Sequence, residues 1–386
     1  MDKINNILIR KILNSIGKFA YEAVIELQNG CTGIASAPVA ILPGVREKTV
    51  TLDGISYDFV ERIQGNFWDQ KTLDSYLEMH IDDMGTDITL AISMAFARAA
   101  SGSKKMSLVD YIRGLSNLER EKKYLAPLVP IFSGGVHDCS LGGSMQQIML
   151  KVSDMDFKET VEAILDVYNQ IETFLLNKDY VKGISASSGF LVKNITVNDE
   201  FEMISEVIDK SIWKKNMSIA VDVAAEHLHK QEGYTFYNKT YSPDEFKALL
   251  LTYLAKYPIS FLEDPFDFRD AQIWKMLYEQ IEGKTEVFSD DYSATQIKYL
   301  NANIVDGAIV KMKQVGTLSS TLLLISKLNN LKMKSCVSHR SIETEDTFIC
   351  DLAVATNADY IKIGGPRRGD RVEKYNRLIR LYNVKF

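Results

Sequence analysis

Six apolar segments in the second half of the chain each run into an ionisable residue, one after another. Ile219-Ala220-Val221 meets Asp222, Ile259–Leu262 meets Glu263, Val287–Ser289 meets Asp290, Ala308–Val310 meets Lys311, Ser335–Ser338 meets His339, and Tyr360-Ile361 meets Lys362. Successive segments stand about one strand plus one helix apart, which is the pattern of βα units and a parallel sheet. Closed into a barrel, such units share one mouth, at the C-terminal ends of the strands. A single ionisable residue there is accounted for by a turn or cap. Six in succession place chemistry at the mouth.

The stretch Ser338 to Asp346, reading Ser-His-Arg-Ser-Ile-Glu-Thr-Glu-Asp, concentrates polar groups directly after one of these strands. Its Arg340 offers a planar donor fork and Ser341 a hydroxyl, a pair suited to a phosphate or carboxylate. Asp222, Glu263 and Asp290 come from adjacent strands and form an oxygen-only set suited to a hard divalent cation such as Mg²⁺. Lys311 and Lys362 face them. A lysine acts as a base only when its pKa is lowered, which burial beside a cation and a second ammonium can do. Proton abstraction next to a metal-bound carboxylate is the implied reaction.

The 386 residues suit a barrel with an accessory domain. In the first part, Tyr21–Leu27, Thr32–Ala35 and Val50–Leu52 alternate as strands, with a hairpin at Asn29-Gly30. Leu73, Leu77 and Ile81 then recur at helical spacing, and Thr86 opens a second helix through Leu90, Met94 and Ala97. This predicts an α+β domain, a β-meander followed by helices, over 1–124. A linker at Ser116–Lys123 and Pro127 leads into a β/α barrel over 125–386. Within it, Val129–Phe132 and Ile148–Val152 read as strands, and Asp156 with Glu159 opens a helix bearing Val161, Ile164, Leu165, Tyr168 and Ile171.

A formal net charge of −6 without a long Lys/Arg run argues against nucleic-acid or membrane-surface partners and for a small ligand. The N-terminus carries no apolar signal segment, and no stretch approaches the ~18 apolar residues of a membrane span. A cytoplasmic location is expected. The four cysteines, Cys31, Cys139, Cys336 and Cys350, are scattered without a CxxC and read as core residues. His80 is expected on an exposed helix face, His227 and His229 on the surface, and Arg368-Gly369-Asp370 as a helix-entry turn.

The blocks Ser338–Ile349, Ile309–Thr317, Leu262–Phe266, Ser289–Asp291 and Ile361–Pro366, with Lys374–Asn376 next in line, resemble those of enolases, and the likeness runs from about Ile9 to about Arg380. A lysine base beside Mg²⁺ is already known from enolase-superfamily sites. The resemblance implies an enolase-like β/α barrel with Mg²⁺ on Asp222, Glu263 and Asp290, and Lys311 as base. It implies the phosphate on Arg340 and Ser341, the carboxylate on Lys362, His339 and His137 lining the site, and a homodimer.

Departures accompany it. Val39, within Ala37–Leu42, replaces a loop serine that reaches a second Mg²⁺. Gln146-Gln147-Ile148-Met149 stands where enolases read Gln-Glu, and Ser185–Gly189 stands where they read Gly-Asp-Glu-Gly-Gly. Gln147 and Ser187 thus replace both acids that assist loss of the hydroxyl. Three readings are open. One is a Mg²⁺-dependent lyase that abstracts the α-proton of a phosphorylated or phosphonate carboxylic acid with a changed leaving-group step. The others are a working enolase acting on 2-phosphoglycerate, and a non-catalytic binding protein.

Overall fold

A computed structural model of the chain describes residues 1–39, 57–116, 124–135, 144–231, 233–281, 283–290 and 303–385. The first part pairs β1 (Asp2–Leu13), β2 (Phe19–Leu27), β3 (Thr32–Ser36) and β4 (Phe67–Trp68) in the order β3-β2-β1-β4. The β2–β3 turn falls at Asn29-Gly30, where Gly30 takes φ +83° and Asn29 accepts from the Cys31 amide at 3.1 Å. Behind the sheet lie α1 (Tyr57–Ile63), α2 (Gln70–Met79), α3 (Ile81–Ser103) and α4 (Leu108–Ser116). Helix α3 rests directly on Gly33, where a Cβ would stand 2.0 Å from the Ala95 carbonyl oxygen. The predicted second helix does open at Thr86, because Gly85 breaks α3 with φ 73° and ψ 155°. The strand expected at Val50–Leu52 lies outside the described residues.

The barrel consists of β5 (Ala126–Ser133), β6 (Gln147–Val152), β9 (Met217–Asp222), β13 (Ile259–Glu263), β14 (Glu286–Ser289), β15 (Gly307–Val310), β16 (Lys334–Ser338) and β17 (Tyr360–Lys362). It closes where Tyr360 and Ile361 pair with Ala126 and Pro127. Pro127, expected in the linker, is therefore part of a barrel strand. All six segments singled out by their ionisable ends are barrel strands. The expectation of a wholly parallel barrel needs one correction, since β6 runs antiparallel to both β5 and β9. The Gly-rich segment between β5 and β6 lacks the apolar periodicity of a crossover helix, so the chain folds back. The start of β6, not its end, then lies at the mouth, with Gln147 level with Asp222.

Two additions were not anticipated: the hairpin β7 (Val181–Ile184) and β8 (Phe190–Val192), which extends the barrel sheet where Phe190 pairs with Phe132 of β5, and a separate three-stranded meander, β10 (His229–Lys230), β11 (Gly233–Phe236) and β12 (Lys239–Tyr241). Outer helices are α5 (Phe157–Asn177), α6 (Val197–Lys210), α7 (Pro243–Lys256), α8 (Ala271–Ile281), the short α9 (Met312–Val315), α10 (Leu318–Asn330), α11 (Phe348–Ala355) and α12 (Gly369–Leu381). Asp156 caps α5 through the Glu159 amide at 3.0 Å, and Val161, Ile164, Tyr168 and Ile171 face inward as expected, whereas Leu165 is exposed. Reciprocal caps start α6 at Thr196 and α7 at Ser242.

Inside the barrel, Leu128, Met149, Ala220, Phe261, Phe288, Ile309, Cys336 and Tyr360 form a buried plug, and the Phe261 and Phe288 rings stack at 4.3 Å. Each such phenylalanine contributes about 1.5–3 kcal/mol by burial. Cys336 and Cys350 are buried and Cys31 partly so, all three free, while Cys139 lies outside the described residues. His80 is not on an exposed face; it joins α2 to α3 with its ring 4.7 Å from that of Tyr76. Arg368 does lead into α12. Among the described residues no helix is long and apolar enough to cross a membrane.

The N-terminal layer grips the barrel beside its mouth. Arg98 on α3 clasps Asp346 with Nη1–Oδ2 at 2.6 Å and Nη2–Oδ1 at 2.8 Å. Ser36 donates its amide to Asp346 at 3.0 Å and its hydroxyl to Thr344 at 2.8 Å.

Candidate active site

Strand register gathers the carboxylates. Asp222 and Glu263 end neighbouring strands and are level with each other, and Asp290 stands just past the next strand, its amide fixed at 2.9 Å on the Asp264 carboxylate. All three are at most 5% exposed. Carboxylates so buried and so close require positive charge nearby. Lys362, from the far side of the barrel, provides it: Nζ lies 3.2 Å from Asp222 Oδ2 and 3.0 and 2.8 Å from the two oxygens of Glu263. Lys311 is ion-paired with Asp290.

Burial, aided by the charge of Asp222, pushes Glu263 up to about 8 despite the ammonium of Lys362. Burial alone would push Lys362 down, but Asp222 and Glu263 outweigh it and raise this lysine above its ordinary value. Lys362 therefore keeps its proton. Among the described residues no group of three or more His, Cys, Asp or Glu is disposed to hold a metal ion, and the carboxylates pair instead with Lys311 and Lys362. The donors nonetheless fit a hard cation in kind. They are oxygen-only, and their mutual repulsion, visible in Glu263, marks a place where positive charge is needed.

Around this centre Gln146, Gln147, Ser187, Ser338, His339, Arg340 and Ser341 line the same cavity. Gln146 donates Nε2 to Asp222 Oδ2 at 3.1 Å, a contact that no sequence pattern signals. Gln147 is 4% exposed, and among the described residues its Oε1 has no hydrogen-bond partner. Ser187 comes from the turn between β7 and β8. Its carbonyl accepts the Gly365 amide at 2.8 Å, and Gly364, at φ +87°, admits this approach because a Cβ there would stand 2.9 Å from that oxygen. The imidazole of His339 is held well below its usual pKa by burial and by Arg371. Arg371 Nη1 donates to His339 Nδ1, which leaves the ring proton of the neutral imidazole on Nε2.

Two buried cations of α12 organise the arginine loop and are not evident from sequence. Arg371 Nη2 donates to the carbonyls of Ser341 at 2.8 Å and Arg340 at 3.2 Å. Lys374 lies 3.0 Å from Glu343 Oε2, while Glu343 Oε1 accepts the Arg340 amide at 2.8 Å. The traces in the sequence are the place of Lys374 in a block that resembles enolases and the spacing of Arg371, Lys374 and Leu378 on one helical face. Val39 is tied through its backbone to the same loop, donating to the Ile342 carbonyl at 2.7 Å and accepting from its amide at 3.0 Å. Its side chain carries no oxygen for a metal. His137 lies outside the described residues, and neither His227 nor His229 lines the cavity.

Fold and mouth together define the class: a TIM-barrel protein with an N-terminal α+β layer and a charged mouth of carboxylates, lysines and an arginine. Residues 123–384 match the family model for the enolase C-terminal TIM barrel domain. The chain is 31% identical over 413 residues to the enolase of Elusimicrobium minutum (strain Pei191), spanning 99% of this chain and 96% of that protein. It is 30% identical over 407 residues to the enolase of Ehrlichia canis (strain Jake), spanning 97% and 95%. The chain belongs to the enolase family.

Proposed function

We infer that this enolase-like lyase removes the α-proton of a small acid bearing a carboxylate and a phosphate or phosphonate, and that its leaving-group step is altered. The observation that carries the reading is the meeting, at one mouth, of three carboxylates, Lys311 and Lys362 with the neutral pair Gln147 and Ser187. Asp222, Glu263 and Asp290 would hold Mg²⁺. When bound, the ion supplies positive charge against which the substrate carboxylate can take up further negative charge.

The chain's own groups do the rest. Arg340 and Ser341 bind the phosphate end, with Arg371 and Lys374 fixing the loop that presents them. Lys362, protonated, holds the carboxylate. Lys311 takes the α-proton in its neutral form, so its pairing with Asp290 must be relaxed by the time substrate is bound. His339, neutral and donating from Nε2, contributes a hydrogen bond without adding charge. Gln147 and Ser187 offer no acidic proton to a departing hydroxide.

A domain boundary near residue 124, a cytoplasmic location and a homodimer belong to the same proposal. Light scattering at micromolar concentration tests the last: twice the 43.6 kDa chain mass is expected, and a single-chain mass contradicts it. The functional reading is tested with purified protein, Mg²⁺, and 2-phosphoglycerate or phosphonate acids. Binding that weakens on Arg340→Ala, with turnover confined to anionic acids, supports it. Dehydration at the rate of an ordinary enolase would instead favour the full activity that the names of the relatives carry, and tight binding without any proton exchange would favour a non-catalytic protein.

A further inference from the structure

Lys313 stands two residues beyond Lys311, its side chain 1% exposed, with Nζ 2.7 Å from Oδ1 of Asp87, which is 9% exposed. A buried ammonium is retained where a partner replaces its lost hydration. Here that partner comes from α3 of the N-terminal layer, two residues after the Gly85 break. Neither residue lines the cavity that holds Asp222, Asp290 and Lys311, although Lys313 borders the small adjoining cavity behind Ser338 and Arg340.

The segment carrying Lys311 is fastened along its length. Lys311 caps α9, and its carbonyl accepts the Gln314 amide at 3.0 Å. Gly316, at φ +83°, packs so closely on the N-terminal layer that a Cβ would stand 2.9 Å from both Ile81 Cδ1 and Thr89 Oγ1. Beyond it, the Leu318 amide donates to Ser93 Oγ at 2.9 Å and the Ser319 amide to Asp74 Oδ2 at 2.8 Å. These contacts anchor the far end. The Asp87–Lys313 ion pair anchors the near end, within the single helical turn that begins at Lys311. Lys313, and with it the contact to Asp87, is two residues from the lysine that faces Asp290.

We propose that Asp87 and Lys313 are a cross-layer positioning pair that sets where the Lys311 amine stands in the mouth. This rests on the reading of Lys311 as the base.

The double substitution Asp87→Asn with Lys313→Met removes both charges at once, leaving no unpaired buried ion, and the exchanged pair Asp87→Lys with Lys313→Asp restores them in reverse. In D₂O with Mg²⁺ and 2-phosphoglycerate, the neutral double variant should lose roughly 10²-fold in kcat for α-hydrogen exchange with KM unchanged, the size expected of an ångström-scale misplacement. Its amide hydrogens at 314 and 316 should exchange with solvent faster, and the reversed pair should recover both properties. If the double variant does not fold, Asp87→Glu keeps both charges but lengthens the pair, and it should lower kcat several-fold. A folded neutral variant, or Asp87→Glu, with wild-type kcat overturns the proposal while leaving Lys311 as base, provided Lys311→Ala abolishes exchange. Exchange that survives Lys311→Ala overturns the base assignment and this proposal with it.

Discussion

In the proposed mechanism Gln147 and Ser187 decide the outcome of proton removal. Both are buried at the mouth, and neither can donate a proton to a leaving hydroxide. Introducing Gln147→Glu, alone and with Ser187→Glu, should therefore raise elimination relative to α-hydrogen exchange, by up to the roughly 10²–10⁴-fold that a general acid contributes. Product analysis by NMR gives the ratio, and an unchanged ratio means that leaving-group protonation is not what the chain lacks. At this scale the sequence was legible where an apolar strand ended in a charge: Asp222, Glu263, Asp290, Lys311, His339 and Lys362 all lie at the ends of barrel strands. It was not legible for Arg371, and for Lys374 only as part of an enolase-like block, without a role. Charged residues near a helix start normally face water, and only the packed structure reveals that these two are fully buried against the arginine loop.

Among elements, the loop from Ile342 to Asp346 is held between the two layers, by Val39, Ser36 and Arg98 of the N-terminal layer on one side and by Lys374 of α12 on the other. Burial would raise the Asp346 carboxyl, but Arg98 and the amides of Ser36 and Phe348 outweigh it and hold it below the usual carboxylate range. A depressed carboxylate contributes stability that is present above the unfolded value, near pH 4, and lost as pH falls through the folded value. The melting-temperature gap between wild type and Asp346→Asn should accordingly be widest at neutral pH and narrow toward pH 3; a gap independent of pH would show that the charge is not what stabilises the loop. The direction of β6 belongs to this scale too. An apolar run such as Ile148–Val152 has the same composition whichever way it runs, so the resemblance implied Gln147 at the site and the pairing showed that the start of β6 carries it there.

For the molecule as a whole, the proposed metal would be the widest lever. A ligand of the native state stabilises it by mass action, about 2.7 kcal/mol at a hundredfold excess over Kd. Excess Mg²⁺ should thus raise the melting temperature over that in EDTA, and Glu263→Gln should abolish most of the rise; identical melting curves for the wild type would remove Mg²⁺ from the account. The division into an α+β layer and a barrel was legible because strand and helix periods change along the chain, whereas the ion pairs joining the layers, Arg98–Asp346 and Asp87–Lys313, link residues too distant in sequence for any local pattern to show. The central claim is that Lys311 removes an α-proton which the altered mouth then returns more often than it completes elimination. Proton NMR of 2-phosphoglycerate, or of a phosphonate acid, in D₂O with Mg²⁺ measures both fates in one sample. The account predicts loss of the α-hydrogen signal faster than enol product accumulates, with both absent in Lys311→Ala; elimination keeping pace with exchange, or exchange undiminished in Lys311→Ala, would contradict it.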